Sequence, residues 1–182
     1  MKLEPLPLTG LFLLTPEPIA DNRGFFARTF SRDALAAKGL CADYPEWSIS
    51  YNARQGTLRG LHWQAAPSLE VKLVQCIRGA VFDVAVDVRP DSTTRGRWQA
   101  VELSADNRQS VYIPAGFAHG FQTLSDDSEI MYHISASYRP EASRGVRWDD
   151  PDLAISWPAV GQRVISERDA ALPYFSAIGK LA

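Results

Sequence analysis

Short β-rich runs separated by turn-forming residues fill most of the chain, and no other feature restricts its fold as strongly. Gly, Pro, Asp and Asn recur between the runs, which is typical of antiparallel sandwiches of the jelly-roll kind. The run 81–88 is apolar or small on both faces except at Asp83 and Asp87, which predicts a strand buried on both sides. We therefore predict an all-β jelly-roll sandwich or barrel with a few short helices. The other predicted strands are GLFLLTP, GFFARTF, WSISYN, TLRGLHWQ, VKLVQCI, RWQAVELS, SVYIP, FQTL and EIMYHISAS.

The connections between these runs give three local predictions. The stretch SRDALAAKG predicts a helix, because Ser31 can cap its start and Gly39 can end it. The stretch PEPIADNRG predicts a turn between two strands. Arg78 and Gly79 in IRGAVF predict a tight hairpin.

Length and composition limit the class of protein. At about 150 residues per domain, 182 residues predict a single domain covering 1–182. The net charge of −2 comes from mixed charges and offers no basic stripe for nucleic acid. Two cysteines predict reduced thiols rather than a disulfide framework. With no signal-peptide core in MKLEPLPLTG and no apolar run approaching about 20 residues, we expect a cytoplasmic protein without a membrane span.

His62 stands between polar and aromatic neighbours in RGLHWQ, where a core residue, a metal ligand and a catalytic base are all possible. Arg59 and His62 have opposite parity along a strand, so they share a cavity only if Gly60 allows a bulge. Metal sites in β-sandwiches usually combine closely spaced histidines with a carboxylate. His62, His119 and His133 are isolated from one another, so we expect no bound metal.

Two further residues are chemically unusual for their strands. Lys72 alternates with apolar residues on both faces, so it either extends to the edge or points into a polar cavity. The parity of EIMYHIS turns Tyr132 inward with Ile130 and Ile134, and turns His133 toward solvent. Taken alone, Tyr132 is interpreted as a core tyrosine whose hydroxyl is tied to a backbone group.

Seven motifs together resemble the dTDP-4-dehydrorhamnose 3,5-epimerase family. Their order and spacing over nearly the whole chain make the resemblance specific, although each alone is weak. The resemblance implies a cupin-type jelly roll that acts on a nucleotide-linked 4-keto-6-deoxyhexose, inverting carbons 3 and 5 without a metal or redox cofactor. The motifs are DNRGFF, GTLRGLHWQ, KLVQCIRGAVFDVAVDVR, VELSADN, YIPAGFAHGFQTL, GVRWDDPDLAISWP and ISERD.

The family chemistry assigns roles to four residues. Carbons 3 and 5 flank the ketone, so removal of either proton yields an enolate on the same oxygen, and inversion needs a base, an opposed acid and positive charge. By resemblance His62 is the base and Asp169 its partner, while Tyr132 is the acid on the opposite face. Lys72 then stabilises the enolate oxygen.

The resemblance also implies how substrate is held and how the chain assembles. Arg59 and His119 match positions that line the pocket, and Tyr138 matches an aromatic near the sugar. Family members are homodimers, in which residues matching Arg23 and Phe26 reach the neighbouring subunit's site.

Two stretches depart from the family pattern. Trp47–Ile49 stands where many members have Gln-x-Asn, and Arg28 stands where many have glutamate. These regions contact nucleotide or sugar in the family, so another nucleotide, another 4-keto sugar or inversion at only one carbon stays open. A non-catalytic sugar-binding cupin and a metal-dependent cupin oxygenase are alternatives of other classes. The intact His62, Asp169, Tyr132 and Lys72 favour an epimerase.

Overall fold

The computed structural model describes residues 1–178. Positions 179–182, which the predicted single domain includes, lie outside the described residues. Within 1–178 the chain forms thirteen β-strands, two short α-helices and two 3-10 helices. No helix within residues 1–178 is long and apolar enough to span a membrane. The elements are β1 (Lys2–Pro5), β2 (Phe12–Thr15), β3 (Ile19–Asp21), β4 (Gly24–Phe26), α1 (Arg32–Ala36), β5 (Glu46–Asn52), β6 (Leu58–Gln64), β7 (Lys72–Arg78), β8 (Ala80–Asp87), β9 (Trp98–Ser104), β10 (Ser110–Ile113), β11 (Phe117–Thr123), β12 (Ser128–Ile134), β13 (Ser143–Gly145) and α2 (Glu167–Ala170), with 3-10 helices at Pro140–Ala142 and Phe175–Ile178.

Two sheets make up the body of the protein. One has six strands in the order β1-β2-β10-β7-β12-β5, and the other has five in the order β13-β6-β11-β8-β9. Every pairing between these strands is antiparallel. The strands β3 and β4 form a separate hairpin. The predicted all-β sandwich with a few short helices is confirmed.

Inward-facing apolar side chains from both sheets form the central core. Burial of each large aliphatic side chain contributes about 1.5–3 kcal/mol, so this cluster holds the two sheets together. The run 81–88 lies in β8 and its continuation and is largely buried on both faces, as predicted. The buried members of the core are Leu8, Leu11, Val74, Cys76, Val81, Ala85, Leu103, Val111, Ile113, Phe117, Phe121 and Ile130.

The predicted helix α1 covers part of the outer face of the six-stranded sheet. The Ser31 hydroxyl accepts a hydrogen bond from the Ala34 N–H at 3.4 Å, which caps the helix start. Gly39 follows the helix with φ of +69°, the left-handed conformation that glycine adopts readily. Leu35 is fully buried in a cluster with Leu14 and Leu73. The predicted helix and both of its end signals are therefore confirmed.

The predicted hairpin at Arg78 and Gly79 is wrong. β7 belongs to the six-stranded sheet and β8 to the five-stranded sheet, so the chain crosses between sheets here instead of pairing with itself. Gly79 makes the sharp bend with φ of +73°. A Cβ there would lie 2.5 Å from the Ser128 hydroxyl oxygen, so the crossing leaves no room for a side chain.

The turn predicted for PEPIADNRG is shorter than expected. Ile19–Asp21 forms a strand that pairs with Gly24–Phe26, so only the residues around Asn22 make the turn. Asp21 stabilises it by accepting hydrogen bonds from the backbone N–H and the guanidinium of Arg23. The hairpin presents Ile19 and Phe26 to solvent with 76% and 72% of their surfaces exposed.

Candidate active site

A cavity of about 340 Å³ lies between the two sheets, where polar side chains replace the apolar core. A neighbouring cavity of about 310 Å³ shares Ser48, His62, Lys72 and Tyr132 with it. Both lie within the size range of small-ligand sites. The larger cavity is lined by Glu46, Ser48, His62, Trp63, Gln64, Glu70, Lys72, Tyr132, Ile134, Ala136, Tyr138, Ser143 and Arg168.

His62 and Asp169 form a hydrogen-bonded pair at this cavity. His62 Nε2 lies 2.9 Å from Asp169 Oδ1, and the second carboxylate oxygen accepts the Gly60 N–H at 3.0 Å. Burial raises the pKa of the Asp169 carboxyl, but the hydrogen bonds from His62 and Gly60 outweigh it and hold that pKa below its ordinary value. An ionised Asp169 accepts a hydrogen bond from the Nε2–H of His62, so an imidazole acting as a base carries its lone pair on Nδ1.

Helix α2 brings Asp169 to β6, more than a hundred residues earlier in the chain. Ser166 caps the helix by accepting the Asp169 N–H at 3.1 Å. The segment before the helix is tied to β6, because the Leu58 N–H donates to the Val164 carbonyl at 2.8 Å. The Ser166 cap and the bond between Leu58 and Val164 together fix the start of α2 against β6, and Asp169 is only 6% exposed there.

Gly60 provides the irregularity that the parity of Arg59 and His62 requires. The pairing of β6 with β11 shifts register between His119 and Phe121, opposite Gly60, and Arg59 and His62 line the same 310 Å³ cavity. Gly60 has φ of +105°. A Cβ there would lie 2.6 Å from the His119 carbonyl oxygen, so only glycine fits. The predicted bulge at Gly60 is confirmed.

Gly60→Ala is expected to lower the free energy of unfolding by about 3 kcal/mol or more, because it combines a strained φ with an immovable backbone clash. Gly39→Ala is the matched control. Gly39 also has positive φ but nothing lies within 4 Å of its Cβ position, so it should cost only about 1 kcal/mol. Chemical denaturation measures the free energy of unfolding of both variants. Equal losses would show that the close backbone approach at Gly60 does not affect stability.

A second histidine–aspartate pair lies beside the first. His119 Nε2 is 2.8 Å from Asp83 Oδ2, and both residues are buried, at 5% and 1% exposure. The His119 ring packs edge-on against Tyr132 with centroids 6.0 Å apart. Asp83 is a candidate site residue that sequence reasoning missed. Its signal was an aspartate on the inner face of an otherwise apolar strand.

Lys72 points into the cavity and does not extend to the sheet edge. Its ammonium lies 2.8 Å from a Glu70 carboxylate oxygen and donates to the His62 carbonyl at 3.4 Å. The side chains of Lys72 and Glu70 are 12% and 11% exposed. Of the two interpretations that the sequence left open, the polar cavity is confirmed. Glu70 was not predicted as a site residue.

Tyr132 faces the same cavity from the six-stranded sheet. It packs against the central core cluster, as its parity predicted. Among the described residues, no hydrogen bond ties its hydroxyl to a backbone group, as a purely structural tyrosine would require. Burial, together with the nearby charge of Asp83, raises the pKa of Tyr132 well above its ordinary value. The hydroxyl therefore stays protonated at neutral pH.

The predicted substrate-binding residues Arg59 and Tyr138 lie at the edges of the cavities. Arg59 Nε donates to the Asn52 side chain at 2.7 Å. Tyr138 is 59% exposed, and hydrogen bonds with Ser143 and Arg168 lower its pKa. Arg168, which precedes Asp169 on α2, lines the larger cavity and was missed because its neighbour alone carried the motif signal.

Three predicted positions lie away from these cavities. Arg23 and Phe26 are on the exposed β3–β4 hairpin and contribute nothing to the cavity lining of their own chain. His133 was expected to face solvent, but it is half-buried because Trp47 and Tyr44 pack edge-on against its ring. This burial lowers the pKa of His133. Its ring contacts show that His133 serves packing on the outer face of the sheet.

Comparison with known proteins identifies the family and the fold. The family model described as dTDP-4-dehydrorhamnose 3,5-epimerase matches residues 5–177. The chain belongs to the dTDP-4-dehydrorhamnose 3,5-epimerase family. The family member of Sinorhizobium fredii is 44% identical over 177 residues, covering 95% of this chain and 89% of that protein.

Solved structures of this epimerase family have the same fold. The Mycobacterium tuberculosis epimerase aligns with a TM-score of 0.94 and 38% identity, covering 100% of this chain and 93% of that one. The Legionella pneumophila epimerase, solved with dTDP-4-keto-L-rhamnose, aligns with a TM-score of 0.91 and 36% identity, covering 97% of this chain and 94% of that one. The cupin-type fold implied by the sequence resemblance is confirmed.

Of the residues that depart from the epimerase family pattern, Ser48 lines both cavities and Ile49 lines the smaller one, whereas Trp47 and Arg28 lie outside both. Trp47 is 67% exposed on the edge strand β5, and Arg28 is exposed beyond the β3–β4 hairpin. Neither residue lines the larger cavity or contacts the His62–Asp169 pair. The departures at Ser48 and Ile49 thus change part of the cavity wall but none of His62, Lys72, Tyr132 and Asp169, and their effect on nucleotide recognition stays a prediction.

Proposed function

We propose that the protein is an epimerase that inverts carbons 3 and 5 of a dTDP-linked 4-keto-6-deoxyhexose. One observation carries the proposal: two candidate proton carriers face one cavity from opposite sheets. His62 belongs to β6 of the five-stranded sheet and Tyr132 to β12 of the six-stranded sheet. A sugar ring between them would present one face to each residue, which is what inversion at carbon requires.

The chemistry needs only proton transfers. His62 takes the proton from carbon 3 or carbon 5, and the electron pair of the broken C–H bond moves into the enolate whose charge rests on the carbonyl oxygen. The Lys72 ammonium stabilises that oxygen. Tyr132 then gives its proton to the opposite face of the same carbon, after which solvent takes the extra proton from His62 and returns one to Tyr132. Since both carbons flank one ketone, the same residues serve both inversions.

The charges around the cavity suit a nucleotide diphosphate. Arg59 and Arg168 supply cations on two elements around it, and guanidinium groups bind phosphate oxygens well. Exposed Tyr138 offers an aromatic face at the rim. His119, buried against Asp83, lines the smaller cavity. These features favour a nucleotide sugar over a free sugar.

The test is proton NMR of the purified protein with a panel of 4-keto nucleotide sugars in deuterated water. We expect deuterium to enter at carbons 3 and 5 of the dTDP sugar, with inversion at both. Exchange confined to one carbon would make the protein a 3-only or 5-only epimerase, and preference for another nucleotide would change the substrate. Binding without exchange would mean a sugar-binding cupin.

The family model spans 5–177, which supports one domain.

We also propose a homodimer in which the β3–β4 hairpin, with Arg23 and Phe26, reaches the neighbouring subunit's cavity. The edge strand β5 presents Trp47, Ile49 and Tyr51 outward, each at least half exposed. A large apolar row on an unpaired sheet edge favours association with another chain. Ile19 and Phe26, which the β3–β4 hairpin exposes to solvent, also favour association with another chain.

Trp47→Glu, at a position of β5 that lines neither cavity, is expected to convert the dimer to a monomer and to lower turnover, because a charge is buried at the proposed interface. Sedimentation equilibrium should give about twice the 20.1 kDa chain mass for the unaltered protein. Tyr174→Glu is the control and should leave the dimer intact. Tyr174 is an exposed aromatic residue too, at 46% exposure, but it lies beside Arg147 and away from β5. A fully active monomeric wild type would contradict the proposal.

Two expectations from the sequence stay predictions. Among residues 1–178, no three side chains of His, Cys, Asp or Glu are grouped so that they could hold a metal ion. We expect activity to survive exhaustive chelation, whereas recovery by one specific divalent ion after its loss would point to an oxygenase-like cupin. The cytoplasmic location is the other, and fractionation of the native host tests it.

A further inference from the structure

Glu70 makes two hydrogen bonds with site residues that the mechanism leaves unused. One oxygen lies 2.8 Å from the Lys72 ammonium, and the other accepts the Gln64 side-chain amide at 3.0 Å. Both oxygens are thus fixed within a side chain that is 11% exposed. Glu70 precedes β7 and lines the larger cavity.

Gln64 extends this arrangement to the turn that carries Tyr138. Its amide nitrogen also donates to the Ser137 carbonyl at 3.3 Å, and its oxygen accepts the Arg139 N–H at 2.6 Å. Gln64 is 2% exposed, and these bonds satisfy its whole amide group. Because the Gln64 amide cannot turn without losing them, it holds the Glu70 carboxylate in one orientation.

We propose that Glu70 is a positioning residue that aims the Lys72 ammonium at the enolate oxygen. The inference rests on the proposed function. An ammonium has three N–H donors, and its orientation around the side-chain stem is free unless acceptors fix it. Glu70 takes one donor and the His62 carbonyl takes a second at 3.4 Å. The third is left for the substrate oxygen.

This arrangement makes the oxyanion donor preorganised. A donor fixed before substrate arrives stabilises developing charge without reorganising during the reaction. The acceptor on Glu70 matters more for this than its charge, since the charge opposes the positive field that the enolate needs. A glutamine at position 70 would keep one oxygen for Lys72, whereas an apolar side chain would keep none.

The test compares Glu70→Met with Glu70→Gln in the deuterium-exchange assay. We expect Glu70→Met to lower kcat about 10- to 100-fold, the scale of a small misplacement of a catalytic group, with KM almost unchanged. Glu70→Gln should keep kcat well above that of Glu70→Met, because its amide oxygen still accepts from Lys72 although its amide nitrogen cannot accept from Gln64. Glu102→Met, on the exposed face of β9, removes the same charge and should change neither constant. In a Lys72→Met background, Glu70→Met should cause no further loss.

Several outcomes would overturn the role of Glu70. These are wild-type kcat in Glu70→Met, an equal loss in Glu70→Gln, or a full further loss in the Lys72→Met background. If Glu70→Met does not fold, Glu70→Asp replaces it, because its shorter side chain withdraws the acceptor and should lower kcat further than Glu70→Gln does. A wild type that exchanges no deuterium would instead contradict the proposed function, independently of Glu70.

Discussion

His62→Ala is expected to lower deuterium exchange at carbons 3 and 5 together by about 10²- to 10⁴-fold, the contribution typical of general acid–base catalysis. Asp169 holds one ring nitrogen at 2.9 Å, so the other ring nitrogen carries the imidazole lone pair that can abstract a proton. Loss of the imidazole removes the base for both carbons, because both protons lie next to one ketone. Proton NMR in deuterated water measures the two exchange rates on one sample.

His133→Ala is the matched control for loss of an imidazole. His133 lies on the outer face of β12 against Trp47 and lines neither cavity, so its loss should leave exchange unchanged. Asp169→Asn adds a second arm. An amide cannot hold the Nε2 proton as a carboxylate does, so exchange should fall although the fold is kept. Near-normal exchange in folded His62→Ala would eliminate His62 as the base.

Strand parity and glycine chemistry were readable from the sequence because both are local. Alternation along β12 placed Tyr132 inward. The apolar residues around Lys72 marked it as unusual but left the sheet edge and a polar cavity equally open, and the structure shows the cavity. The opposed parity of Arg59 and His62 required a bulge, and Gly60 was the residue that permits one. The pairing of His62 with Asp169 came from family resemblance, since no local pattern links residues so far apart.

Long-range pairing was what the sequence could not reveal. Asp83 meets His119 only because β8 and β11 are neighbours in one register, which no local pattern specifies. Glu70 meets Lys72 through the course of a loop. The false hairpin at Gly79 has the same origin, since a glycine bend between two strands is compatible with pairing or with crossing to a second sheet. His133 was misjudged because a loop from elsewhere in the chain covers it.

Tyr132→Phe should lower inversion far more than it lowers exchange. The change removes only the hydroxyl and keeps the ring against the central core. His62 can still abstract a proton and form the enolate, so deuterium still enters. Without the opposed acid, the enolate is reprotonated mainly from the side it came from, and the configuration is retained. Because burial raises the pKa of Tyr132, its proton stays in place through neutral and mildly alkaline pH, and wild-type inversion should not decline there through its ionisation.

Tyr112→Phe separates this role from a structural one. The Tyr112 hydroxyl accepts the Cys41 N–H at 3.0 Å in a buried cluster, so its loss should cost about 1 kcal/mol of stability and leave turnover alone. Tyr132→Phe should show the reverse, with little change in stability, since its hydroxyl makes no hydrogen bond within residues 1–178, and a large loss of inversion. Exchange and inversion lost in equal proportion would place Tyr132 in proton abstraction or binding. Loss of neither would leave it a core residue, and the acid would have to come from another group facing the cavity.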